Sequence, residues 1–325
     1  MQMNSLKFEG RGFDFFKIHF VNVILAIVSL SFLYPWARVR ECSYLYQNTS
    51  LADSPFSFTG TVRVFIKGYL KTLLFFIIPL FVICAGGSAL NNIYKETLFA
   101  GIIYWLTFLL ALGFAYYLIP IILHGSLNYY LSNTFWRAIS PSYSGKLSEL
   151  VPLYFKGIVL TMLTLGFYNA WFQVSLNKYV LKNIRFGSLR FDFSGDSRIL
   201  FYLLLKGFFL TLVTFGIYGI WFTKQLYEYS VNNIVVKKDD QEFKLQSDAN
   251  TLEVFEMLVG NFLLVGLTLG IGASWAYMRY YRFLIEHCVI PADFNMNSID
   301  AARDPESTDT SDQSWLDKWN PQLIA

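Results

Sequence analysis

The chain has 325 residues, of which 54% are hydrophobic, 19% aromatic and only 15% charged, with a formal net charge of +3. Soluble domains carry about 25% charged residues, so the composition argues against a fold that meets water on all sides and for one that meets a bilayer. The Lys and Arg residues are spread among loops with no recognition motif, which argues against a nucleic-acid partner, and three widely spaced cysteines (Cys42, Cys84, Cys288) make neither a disulfide framework nor a zinc pattern.

In chain order, Phe8-Glu9-Gly10 reads as the end of a short strand. The apolar run at 18–36 follows, preceded by Lys7, Arg11 and Lys17. No small-residue cleavage site follows it, so it is expected to remain as a helix. Further apolar runs lie at about 68–87, 98–121, 152–172, 200–222 and 254–277, each near the ~20 residues that a spanning helix needs. The expected fold is an all-α polytopic membrane protein with about six transmembrane helices in five degenerate repeats. Short amphipathic helices and small β-hairpins lie between them.

The repeats are read from one pattern. Trp36 is followed by Tyr44 and Asn48, Trp171 by Tyr179 and Asn183, and Trp221 by Tyr229 and Asn233, at the same offsets. Trp275 has Phe283 and His287 in those places. A worn copy has Ile121 in the Trp slot, with Tyr129 and Asn133. Self-similarity near fifty residues marks an array of one structural unit. The Trp and Tyr residues are expected as interfacial anchors. Before three of the Trp residues stands Thr-Leu-Gly or Thr-Phe-Gly, whose glycines (Gly166, Gly216, Gly270) are expected to let helices approach closely; a loosened helix end is the alternative.

Lys156 and Lys206 lie fifteen residues before Trp171 and Trp221. As a straight helix this is about 22 Å, enough to put Lys in one headgroup layer and Trp in the other. Lining a polar path is the other reading. Asn22 and Asn261, fourteen before their Trp, are further candidate intramembrane polar residues. Strands are expected at Ile184-Arg185-Phe186 and Leu189-Arg190-Phe191, around the turn residues Gly187-Ser188. If each copy crosses the bilayer once, successive hairpins lie on opposite faces and cannot share a sheet. Copies that enter and return on one face are the rival arrangement.

The domain reading is a repeat-built membrane part over 1–291 and a tail over 292–325. The tail holds seven acids against Arg303 and Lys318, so it is expected to be disordered, with Trp315 and Trp319 within it. His19, His124 and His287 are isolated in sequence, and Glu253 and Glu256 suit a helix N-terminus. No catalytic, metal or cofactor motif appears.

The run F-x-G, apolar helix, T-L-G-x-Y-x-x-W, Tyr-containing basic stretch, N-x-x-x-G and F-x-F-x-G resembles the YjgN-type family of bacterial inner-membrane proteins of unknown function, over residues 8 to about 290. Ser29-Leu30-Ser31 in the first copy and Ile121 in the second depart from it. The resemblance implies a multi-pass location in the inner membrane and supplies no catalytic residues. The expected function is non-enzymatic, structural or partner-binding, with the lipid bilayer, anionic headgroups and a protein partner for the tail as contacts. The alternatives are a transporter or channel with inverted repeats, and a lipid-acting enzyme. A small excess of basic loop residues places both termini in the cytoplasm.

Overall fold

A helix that reaches Thr164 stops there. The Thr164 hydroxyl donates to the Leu160 carbonyl (2.7 Å) and accepts from the Tyr168 N–H (2.9 Å), so it joins the end of one helix to the start of the next. Between them the backbone turns through the left-handed region, with φ of 51° at Leu165 and 96° at Gly166. The computed structural model, which describes residues 4–30, 32–93, 98–239, 241–291, 294 and 299, shows this turn four times. Thr214, Phe215 and Gly216 make it again, as do Thr268, Leu269 and Gly270, and Ser29 with Leu30 makes its counterpart. Nothing lies within 4 Å of where a Cβ on Gly166, Gly216 or Gly270 would sit. These glycines therefore serve the backbone angle and not the close helix packing expected of them.

Each turn folds an apolar run into a hairpin. A 17-residue outgoing helix and a 14-residue return helix form α1 (Gly12–Val28) with α2 (Tyr34–Gln47), α5 (Leu147–Leu163) with α6 (Asn169–Lys182), α7 (Ser197–Val213) with α8 (Gly219–Asn232), and α9 (Thr251–Leu267) with α10 (Ala273–Glu286). The fifth hairpin is longer, pairing α3 (Val62–Ile93) with α4 (Leu98–Ser132). Each helix packs on its neighbours in the chain, and α10 packs back on α1, so the ten helices close into a ring.

The expected six-span, all-α architecture is therefore corrected. The runs at 18–36, 152–172, 200–222 and 254–277 each straddle a turn, and their two halves lie side by side. Among the described residues only Gly101–Ser132 is long and apolar enough to cross a membrane. The described residues also hold eleven strands: β1 (Asn4–Phe8), β2 (Thr49–Leu51), β3 (Ser54–Phe58), β4 (Thr134–Trp136), β5 (Pro141–Tyr143), β6 (Ile184–Phe186), β7 (Leu189–Phe193), β8 (Ile234–Lys238), β9 (Gln241–Lys244), β10 (Gln246–Ser247) and β11 (Cys288–Ile290).

The strands collect at the end of the ring opposite the turns. They pair antiparallel in the orders β10-β11-β1-β2-β3-β4 and β5-β6-β7-β8-β9. A bridge from Trp136 to Ile139 follows β4. Strands that share a sheet settle the conflict of direction, because hairpins that return deliver their strands to one face. One core lies among them. Leu51, Trp136, Ile139, Phe186, Leu189 and Val236 are buried together, and Phe294 and Ile299 join them. The Trp136 indole N–H donates to the carbonyls of Leu51 (3.1 Å) and Ser54 (3.2 Å). Phe294 and Ile299, which join this core, lie beyond the expected boundary at 291. Trp315 and Trp319 lie outside the described residues.

Candidate functional site

Three recurring devices and one singular cluster carry the chemistry. The first device closes the base of four of the five hairpins. The Tyr179 hydroxyl accepts from the Lys146 N–H (2.8 Å) and donates to the Lys146 carbonyl (2.7 Å), just before α5. Tyr44 treats Arg11 the same way, Tyr229 donates to the Asp196 carbonyl, and Tyr129 to that of Thr61. These tyrosines sit at the sheet end of the hairpins with their hydroxyls spent on backbone, a role that their spacing from Trp does not reveal.

The second device braces the two arms where they face each other. A Cβ on Gly157 would run into the Phe172 ring, and one on Gly207 into that of Phe222. In the other two short hairpins, asparagine takes the glycine position and alanine the phenylalanine one. Asn22 Nδ2 donates to the Ala37 carbonyl and Asn261 Nδ2 to that of Ala276, both at 3.1 Å. Asn22 and Asn261 are thus braces, which removes them as evidence for a polar path. Each brace lies beside a tryptophan (Trp36, Trp171, Trp221 or Trp275), which is the third residue of its return helix. The fifteen residues from Lys156 to Trp171 run up to the turn and back, so the two lie at one level and do not mark opposite headgroup layers. Lys156 and Lys206 are both exposed.

The third device is the turn itself. Leu30, Leu165, Phe215 and Leu269 are 85, 91, 98 and 94% exposed. Each holds a φ near +50°. A turn facing water normally puts Gly, Asn or Asp there. Four large apolar residues in that place, all bare, mark a surface that calls for an apolar partner.

The singular cluster lies between α1 and α2. The Glu41 carboxylate, 10% exposed, accepts from His19 Nδ1 (3.1 Å) and Asn22 Nδ2 (3.2 Å) on one oxygen and from Arg38 Nη1 (3.1 Å) on the other. The matching positions in α6 and α8 hold Leu176 and Leu226, so one hairpin has exchanged an apolar contact for a charged one. Comparing the copies at that position would have shown it; His19 taken alone looked isolated. Burial alone would raise the Glu41 pKa, but the bonds from His19 and Asn22 and the Arg38 charge outweigh it and hold it below the ordinary 4.5. The bond to Glu41 raises His19 above 6.5. Glu41 thus adds stability above pH 4.5 that is lost as pH falls through its lowered value. His19 adds stability below pH 6.5 that is lost as pH rises through its raised value. The pair is strongest between pH 4.5 and 6.5. The melting midpoint of the wild type minus that of Glu41→Gln is expected to peak in this window; a difference that does not change with pH would count against the pair.

The three histidines stay apart. His124 packs its ring on Tyr143, and His287 faces Asp248 (2.8 Å) and Glu253 (3.5 Å). Glu253 also closes a capping box with Asn250 at the start of α9. Among the described residues no group of three or more His, Cys, Asp or Glu could hold a metal ion.

A bacterial family described as protein of unknown function (DUF898) matches residues 3–220 and 208–314. The chain belongs to this family. One relative is the inner membrane protein YjgN of Salmonella typhimurium (strain LT2), 30% identical over 113 residues, which are 35% of this chain and 28% of that protein. The chain therefore aligns with less than a third of that relative. No solved structure matches it.

Proposed function

We propose that this DUF898 member is a bacterial inner-membrane protein with a structural or partner-binding role and no catalytic one. Its ring of hairpins, five copies of one unit, enters the lipid from one face and returns to that face. The observation that carries this reading is the set of four bare apolar residues at the left-handed turns. They stand at the end of the ring opposite the strands. The name of the Salmonella relative agrees with it. Because β1 pairs with β11, both ends of the described chain lie on the sheet side, which we assign to the cytoplasm. A protein partner for the acidic residues beyond Ile299 is part of the same reading. The transport alternative has lost Asn22 and Asn261 to the braces.

The test is a fluorophore on single cysteines at Leu165 and Leu269, in protein reconstituted into vesicles with Cys42, Cys84 and Cys288 changed to alanine. Emission should be blue and insensitive to iodide at both turns, and red and quenched at a strand cysteine such as Arg185→Cys. Equal iodide quenching at the turns and the strand would end the membrane reading.

A further inference from the structure

The braces define a level in the ring, and that level carries a pattern. From brace to turn tip there are eight residues in every short hairpin: Asn22 to Leu30, Gly157 to Leu165, Gly207 to Phe215 and Asn261 to Leu269. No charged residue occurs between the brace and the following Trp in any of them. At the brace itself aromatic and cationic groups gather. Lys156 adjoins Gly157 and Lys206 adjoins Gly207. The Arg40 guanidinium lies over Trp36 at 4.5 Å, and the Arg279 guanidinium lies against Gly260, next to Asn261. Toward the sheet, both signs of charge return on the outgoing helices (Asp14, Glu149, Arg198, Glu253, Glu256).

Trp and Lys or Arg at one depth is the signature of a membrane–water interface. We propose that this collar seats in the headgroup plane of a single leaflet containing anionic lipid, that the four short hairpins end near the bilayer midplane, and that the α3–α4 hairpin alone crosses. The inference rests on the membrane reading above and adds depth and lipid class to it. Eight residues of helix rise about 12 Å, which fits inside one leaflet of a hydrocarbon core ~30 Å thick and cannot cross it. The long hairpin differs by the right amount. Residues 98–121 of α4 lie on the turn side of the worn Trp slot, are uncharged, and rise about 35 Å, a full crossing. Lysine and arginine at the collar present cations where lipid phosphates lie, and each contributes to holding anionic headgroups.

The experiment uses full-length single-cysteine variants on the same background in vesicles of phosphatidylcholine with phosphatidylglycerol. Lipids carrying a nitroxide near the headgroup or near the acyl terminus serve as quenchers. Cysteines at Leu165, Phe215 and Leu269 should be quenched most by the deep nitroxide, and one at Gln173, exposed beside the brace, most by the shallow one. An impermeant maleimide added to the far side should label Leu90→Cys, near the end of α3, and none of the three turn cysteines. Far-side labelling at the turns, or none at Leu90→Cys, would overturn the depth assignment. Iodide quenching of the turns from the sheet side would instead refute the membrane reading beneath it. Brominated phosphatidylglycerol should quench the collar tryptophans more than brominated phosphatidylcholine does, and Lys156→Gln with Lys206→Gln should lower that ratio severalfold toward unity. An unchanged ratio would overturn the anionic part.

Discussion

Gly157→Asn is expected to unfold the α5–α6 hairpin, and adding Phe172→Ala is expected to restore it. The single change places three heavy atoms beyond a new Cβ, where even that Cβ would meet the Phe172 ring. Overpacking of a tight contact costs about 1–3 kcal/mol and more where neither side can move. Both sides here are held, since Phe172 also packs on Tyr154 with ring centroids 5.1 Å apart. Phe172→Ala alone should cost about 3–5 kcal/mol through the cavity it leaves. Together the two changes rebuild the Asn–Ala brace that α1–α2 and α9–α10 already use, with an amide donating to the carbonyl at position 172. The coupling should therefore be large and favourable, well beyond the ~0.5 kcal/mol error of additivity. Melting of the four proteins of this cycle in lipid bicelles would measure it. Simple addition of the two losses would show that the braces are not interchangeable and that the level they define has no common geometry.

That brace also shows how far the sequence could be read. The runs of apolar residues, the Trp–Tyr–Asn offsets and the strands around Gly187-Ser188 were all visible, because each is local. The turn at Leu165-Gly166 is legible as a motif, but a bend there stands only as the rival to a straight span. Hydropathy sums side chains, and a left-handed turn made of leucine and glycine adds to an apolar run as a straight helix does. Six spans followed from that sum. The same blindness put Lys156 and Trp171 in opposite headgroup layers, since a spacing of fifteen residues does not say whether the chain doubled back. The Tyr179 tether and the Glu41 cluster depend on contacts between elements. For the braces and the Glu41 cluster the trace in sequence lies across copies: glycine with phenylalanine in two hairpins, asparagine with alanine in two others, and Glu41 where two other copies have leucine. Aligning the copies position by position makes both pairs legible. The tether has no such signature, because its partners Lys146, Arg11, Thr61 and Asp196 contribute only backbone.

The turns offer a test whose sign differs between water and lipid. Aspartate tolerates the left-handed conformation better than leucine or phenylalanine does. If Leu165, Phe215 and Leu269 faced water, changing all three to aspartate would relieve strain, improve hydration and raise the melting midpoint. Inside a leaflet the outcome reverses. On the insertion scale, aspartate at depth costs about 2.5–3.5 kcal/mol and leucine or phenylalanine gains about 0.3–0.6, so each exchange costs ~3–4 kcal/mol. Three exchanges amount to about 10 kcal/mol, which is comparable to the whole stability of an ordinary domain. The expected result is that α5 through α10 withdraw from the bilayer and lose their ring contacts. The crossing by α3–α4 keeps the chain membrane-bound, so loss from the membrane is the wrong readout. A midpoint shift in bicelles and protease cleavage within the turns are the right ones. A midpoint that rises on triple substitution would mean that these three apolar tips stand in water, and the ring would need another partner to cover them.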